Sequence, residues 1–319
     1  MLRINLKQLI NFSEKRNFKI VGNINTNLWL NNVAPINSAL KNEIAFCRFE
    51  GLEGIELIKS SKSSFIFISI SLFKSEIFNH ELMGSGKVFA VCDSPRLEIA
   101  YFLREYWKEE IEDARYIKNS SGGLVHLDAI ISPSAEVMHG AIVGKNVTLG
   151  ANSVVFPGAV INNAIIGDQC KVGSNAVIGG VGFGFESDPV TGEQIDFPHI
   201  GIVRIGNNVR IGACTCIDRG SVGETIISNG VKIDNLVHIA HNVKIGHDSK
   251  IVALSIIGGS AQIGDNCWLA PASVIRDWIK LGNDSIIGMG AVVTKSVQNG
   301  ATVVGNPAKE ITPVKRKYL

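Results

Sequence analysis

The chain is short of aromatic residues, of paired cysteine motifs, of net charge and of long apolar runs. Each shortage removes a class. Aromatics are 7% of 319 residues while apolar residues are 45%, so the apolar surface is mainly aliphatic. A formal net charge of +2 supplies no global field for nucleic acid or a membrane surface. The six cysteines, Cys47, Cys92, Cys170, Cys214, Cys216 and Cys267, form no Cys-x-x-Cys pair. Cys214 and Cys216 have a poor spacing for a zinc knuckle and suggest no disulfide framework. The six read as small reduced residues of a core or stack. The longest apolar run, Phe65 to Phe73, is far below the roughly 20 residues of a membrane helix and reads as a buried strand. The N-terminal MLRINLKQLINF lacks an apolar core segment and a small-residue cleavage site. The expectation is a soluble cytoplasmic protein with no membrane span, no nucleic-acid partner and no metal.

Glycine is abundant, at 33 residues against 9 prolines, which suits a turn-dense β architecture. From residue 227 an aliphatic side chain recurs at every sixth place: Ile227, Ile233, Ile239, Ile245, Ile251, Ile257, Ile263, Leu269, Ile275, Leu281, Ile287 and Val293. Earlier stretches carry the same period, Val137 to Ile161, Ile166 to Ile178 and Ile205 to Ile217. Six is not a multiple of 3.6, so a helix would scatter these positions around its surface. Hexads are the signature of a parallel β-helix, in which each hexad makes one short strand and one turn. Three hexads then close one triangular coil, with the aliphatic residue inward and Gly or Asn accepting the positive φ of the turn. Gly180 to Ile202 breaks the pattern and reads as a loop thrown out of the stack.

Residues 1–125 lack the hexad and alternate strand-like runs (Lys19–Val21, Phe65–Ile70, Lys87–Cys92) with helical ones. Ser94 before Pro95 is a helix start, predicting a helix to about Glu110. The expected organisation is mainly β. A small α/β domain (1–125) precedes a left-handed parallel β-helix (126–298), followed by a short basic tail (299–319).

A solenoid is a scaffold, so function has to be argued from a site. His238, His241 and His247 cluster, with His238 just before the inward Ile239 and His241 two places after it, so both point outward. Histidine suits general-base work near neutral pH. The competing readings are a plain surface histidine, or a zinc site on histidines such as His241 and His247. Asp234 and Asn235 occupy the preceding turn, structural by residue type, although an Asp there could bind an attacking amine. In the break, Gly180 to Phe185 is Gly-rich without the strand-to-helix context of a phosphate loop. His199 closes that excursion, touching substrate or simply capping the loop.

The stretch CIDRGSVGETIISNGVKIDNLVHIAHNVKIG, Cys216 to Gly246, closely resembles the UDP-3-O-acylglucosamine N-acyltransferases of lipid A synthesis. So do VIGGVGFGFE and HIGIVRIGNNVRIGACT upstream, and the N-terminal segments from Ile44-Ala45-Phe46 to SPRLEIAYFL. The resemblance implies a left-handed winding, a homotrimer with sites at subunit boundaries, and an N-terminal domain that helps hold the nucleotide. It implies that His241, in the IAHN motif, is the base. Gly259, one coil of 18 residues on, would offer its N–H to an oxyanion, and His238 would orient the thioester or sugar. Phe46 and Arg48 are candidate nucleotide contacts, with Phe183, His199, Asp234 and Asn235 as further substrate contacts.

Three features depart from that family. Trp278 stands where a second active-site histidine is usual, and Cys47-Arg48-Phe49-Glu50 follows Phe46 in place of Asn-Pro-x-Tyr. The ending IIGMGAVVTKSVQNGATVVGNPAKEI resembles hexapeptide acetyltransferases that use coenzyme A. Gly259, Trp278, Gly288, Asn306, Pro307, Lys309 and Arg316 are therefore candidate cofactor contacts. The expectation is a paralogue moving an acyl group from acyl-CoA to another nucleotide-linked amino sugar, for a surface polysaccharide. The alternatives are the lipid A enzyme itself with acyl carrier protein as donor, a zinc-dependent β-helix enzyme, and a non-catalytic solenoid.

Overall fold

A coil side that closes every six residues has room for one inward side chain in mid-strand and one at the corner before it. In the computed structural model, which describes residues 3–22, 29–82, 84–107, 115–307 and 309–311, the hexads do this. All twelve aliphatic positions from Ile227 to Val293 point inward and are at most 4% exposed. Residues two places before them, among them Val237, Val243, Ser255, Ala261 and Cys267, are buried as well. Rungs pair in parallel one coil apart, Ile239 with Ile257 and Ile257 with Ile275, so the apolar columns are continuous. Three long sheets result, of eight, ten and ten strands among the described residues. They are the three faces of the left-handed parallel β-helix. Each of the two larger sheets ends in an antiparallel strand, Tyr116–Lys118 in one and Lys309–Ile311 in the other. Such strands cover edges that would otherwise template further pairing.

The corners explain the rest of the pattern. From Leu236 to Asp284 every sixth residue is left-handed, with φ between 54° and 63°. Asn and Asp tolerate this readily, whereas Leu236, Leu254, Ala272 and Trp278 adopt it at a cost of about 1–2 kcal/mol each. The glycine that follows many aliphatic positions serves a different need from the positive φ expected of it. At Gly264 an added Cβ would lie 2.5 Å from Asn283 Oδ1 on the next rung, so the rungs stack too closely for any side chain there. Asn and Asp in the column just after these glycines accept N–H groups from the rung before, as Asp265 does from His247 (2.7 Å) and Asn283 from Asp265 (2.9 Å).

The chain divides into two compact units. One is Met1–Glu110 together with Gly184–Pro198; the other is Ile111–Phe183 together with His199–Leu319. The first unit holds a five-stranded sheet with Phe65–Ser69 and Val88–Cys92 among its strands, every residue of both buried. The apolar run from Phe65 is a strand only to Ser69. The Ser69 hydroxyl accepts from Leu72 N (2.9 Å) and starts the short helix Ile70–Lys74. Ser94 caps the helix Pro95–Tyr106, which stops short of the expected Glu110. The excursion expected as a loop is a hairpin, Phe185–Ser187 against Gln194–Asp196. It groups with the first unit because that helix grips it. Tyr101 donates to Asp188 (2.5 Å) and Arg104 to Glu193 (2.7 Å). At the other end the repeat persists beyond residue 298, with Thr302–Val304 parallel to Ile286–Ile287.

Candidate active site

His241 leaves the strand His238–Ile239 just before the left-handed corner at Asn242. Its Nδ1 lies 3.0 Å from Asn242 Oδ1. The orientation of the Asn242 amide is fixed by its other bonds. Its Nδ2 donates to Val222 O (2.8 Å), and its Oδ1 accepts from the Ser221 N–H (3.0 Å) and hydroxyl (2.8 Å). An oxygen can only accept, so His241 Nδ1 carries the hydrogen and Nε2 keeps its lone pair. That Nε2 faces Gly259 on the next rung, where an added Cβ would lie 2.9 Å from both Nε2 and Cε1. Ser260 N donates to His241 O (2.9 Å) and Trp278 N to Gly259 O (3.0 Å), which locks the three rungs together. Among the described residues the Gly259 N–H donates to no protein acceptor, leaving a backbone donor beside the imidazole.

Three more groups meet here. The buried His199 packs its ring edge-on against His241, centroids 5.2 Å apart at 70°. Gly182, at the start of the excursion, passes so close that a Cβ would lie 2.8 Å from His199 Nε2 and 3.3 Å from Asp218 Oδ2. His238, half exposed, holds Nε2 3.7 Å from Asp218 Oδ2. Burial lifts the Asp218 carboxyl from its ordinary 3.8 to about 6, and the imidazole of His238 pulls it back down. A base with a fixed lone pair, an adjacent N–H donor, two further imidazoles and a carboxylate can together accept and pass protons around an acyl carbon.

The structure gathers His241, Gly259, His238 and His199, with Trp278 one rung beyond Gly259 and bonded to it through the backbone. Phe183 is exposed, one residue beyond Gly182. Asp234 and Asn235 occupy the preceding corner and serve it: Asn235 Oδ1 accepts from Ala213 N (2.6 Å) and Asp234 Oδ1 from Asn235 N (2.8 Å). Trp278 continues the corner column above Asn242 and Ser260, about half exposed. Gly288 is in another column, where a Cβ would lie 2.7 Å from Val304 Cγ1. Asn306 and Pro307, joined by a cis peptide, lie in the turn after which Lys309 pairs back on Val304. Arg316 lies outside the described residues. Phe46 and Arg48 are in the first unit, Phe46 with its ring 6.3 Å from Phe197 and Arg48 over Phe49 (5.1 Å). No group of three potential metal ligands occurs among the described residues.

Residues 260–295 match the family model described as bacterial transferase hexapeptide (six repeats). Residues 138–162 and 163–185 match the hexapeptide repeat of succinyl-transferase. A UDP-3-O-acylglucosamine N-acyltransferase of Bordetella pertussis is 31% identical over 249 residues, covering 70% of this chain and 67% of that protein. The protein of that name from Helicobacter pylori is 30% identical over 258 residues, covering 73% and 70%. The chain belongs to the UDP-3-O-acylglucosamine N-acyltransferase family. A solved Arabidopsis UDP-N-acetylglucosamine acyltransferase is 26% identical with a TM-score of 0.52, covering 60% of this chain and 73% of its own.

For this N-acyltransferase one expectation is corrected. The reading of an acyl-CoA donor and a surface-polysaccharide product is overturned by relatives of one name across most of the chain. The motif that suggested coenzyme A has a structural role, since Gly305 to Pro307 lie in the turn between Thr302–Val304 and Lys309–Ile311 at the end of the stack. Sequence patterning also missed Asp218 and Asn242. Asp218 follows the inward Ile217 in a place that holds Ala240 and Gly258 on later rungs, a carboxylate in a column of small residues.

Proposed function

We propose that the enzyme transfers an acyl group from acyl carrier protein to the amine of UDP-3-O-acylglucosamine. The names of its relatives supply the sugar nucleotide, and the carrier is the donor left once acyl-CoA is set aside. His241 acts as general base through Nε2, and the Gly259 N–H receives the oxyanion as the thioester carbonyl becomes tetrahedral. The protonated His241 then delivers its proton to the departing thiolate. His238 and His199 shape the cleft, and Phe46 and Arg48 hold the nucleotide. The observation that carries the reading is the fixed Nδ1–H of His241, which leaves the lone pair on Nε2, the ring atom packed against Gly259.

The enzyme works as a homotrimer in this proposal. Support comes from the outward column containing His238, which is otherwise rich in apolar residues: Val177 and Ile256 are 37% and 45% exposed, and Val274 and Val292 are half-buried. The test supplies UDP-3-O-acylglucosamine with a hydroxyacyl carrier protein in one reaction and the matching acyl-CoA in another. Mass spectrometry reads the product. An amide formed from the carrier, lost in His241→Ala, is expected. No amide from the carrier, or an undiminished rate in His241→Ala, refutes the proposal.

A further inference from the structure

An amine of this kind titrates near an α-amino group, about 7.7–8.0, so much of the substrate arrives as ammonium. An ammonium must lose two protons to become an amide N–H. His241 carries one at a time and hands it to the thiolate, so the other proton needs a second acceptor.

Asp218 has the position for it. Its carboxyl is 14% exposed, and among the described residues it accepts no hydrogen bond. A carboxylate so placed is costly until a donor reaches it. It lies beside the Gly182 backbone, across from His199, whose ring abuts His241. The glycine at 180 pairs with it on the rung before, so no side chain covers it from that side. The charged and titratable groups around it are His238 from the next rung, His199 across Gly182, and Cys216 and Arg219 on its own segment.

We propose that Asp218 receives the substrate ammonium, takes its first proton and leaves the neutral amine beside His241. This rests on the function proposed above. The amine nitrogen then bonds to the thioester carbon and the carbonyl pair moves onto oxygen. His241 takes the second proton from nitrogen. The C–S bond breaks, sulfur leaves with its electron pair and receives that proton from His241, and Asp218 releases the first proton to solvent. An ordinary carboxyl would accept the ammonium proton against a gap of about 4 pH units. With Asp218 raised to about 6 the gap is about 2, a gain of roughly a hundredfold in the population of free amine.

The experiment measures kcat/KM from pH 6 to 9.5 for the wild type, Asp218→Asn and Asp218→Glu, with UDP-3-O-acylglucosamine and the acyl carrier thioester. It also measures Kd for the N-acylated product, which has no ammonium. Asp218→Asn is expected to lose about 10- to 100-fold at pH 6.5. It should come within a few-fold of wild type at pH 9.5, where the amine is already neutral, with product Kd unchanged. Asp218→Glu should fall between the two, and it carries the test if the Asn variant fails to fold. An Asn variant equal to wild type at every pH, or reduced by the same factor at every pH, overturns the assignment. A wild type that makes no amide at all overturns the functional proposal, and the assignment with it.

Discussion

Gly259→Ala puts one methyl group where the base needs space. That carbon would lie 2.9 Å from Cε1 and Nε2 of His241 and 3.5 Å from Cδ2. Comfortable carbon contacts are about 3.5–4.0 Å, so the ring must retreat by roughly 0.6–1 Å. It has little freedom to do so smoothly, because Asn242 holds Nδ1 at 3.0 Å and His199 stands at 5.2 Å. A misplacement of about 1 Å can cost about a hundredfold in rate, or roughly 2.7 kcal/mol on the barrier. The backbone itself accepts alanine, since Gly259 is not among the positive-φ residues, and the N–H remains in place. The expected result is kcat down about a hundredfold with Tm within about 4 °C of wild type. Single-turnover formation of the amide, with a thermal melt of the same preparation, measures both. A variant retaining more than a third of kcat would show that the ring is free to move, or that His241 is not the base.

Other substitutions test neighbouring parts of the argument. Asn242→Leu removes the acceptor that fixes the imidazole tautomer; kcat should fall about 10- to 100-fold, and an unchanged pH–rate profile at full kcat would disprove the tautomer role. Asp218→Asn should raise stability at pH 8 but not at pH 4. The folded carboxyl holds its proton more tightly than the unfolded one, so wild-type stability falls as pH rises from about 4 to 6 and stays lower above it. The gain should be about 1–3 kcal/mol, and an equal Tm gain at pH 4 would contradict it. Ile257→Ala opens a cavity between Ile239 and Ile275 and should cost about 2–4 kcal/mol in denaturant melts, far above what a surface site loses.

The solenoid was legible because its constraint is local and repeated. Each hexad must present an aliphatic residue to the same axis, so Ile227 to Val293 announces the fold without any long-range contact. The glycines were legible as positions but not as causes, because the clash at Gly264 comes from a residue 19 places ahead. The hairpin between residues 184 and 198 escaped for a similar reason. Its membership in the first unit depends on Tyr101 meeting Asp188, a pairing 87 residues apart that no periodicity encodes. Ser69 was visible as a residue but not as a cap, since an apolar run of Phe and Ile on both sides hides the change from strand to helix.

The site divides along the same line. His241 stands out because an imidazole two places after an inward isoleucine must face outward, and Gly259 follows by counting one coil. Asp218, His199 and Gly182 meet only because the repeat fails between Gly180 and Ile202. A strictly regular coil stacks like on like and buries or solvates every side chain by its column. His199 reaches His241 only because a rung is interrupted and the chain re-enters there, against a corner it would otherwise have bypassed. Removing the interruption should therefore leave the stack and the His241–Gly259 pair intact while withdrawing His199 and Gly182 from beside Asp218, which ties that part of the site to the one place where the sequence abandons the hexad.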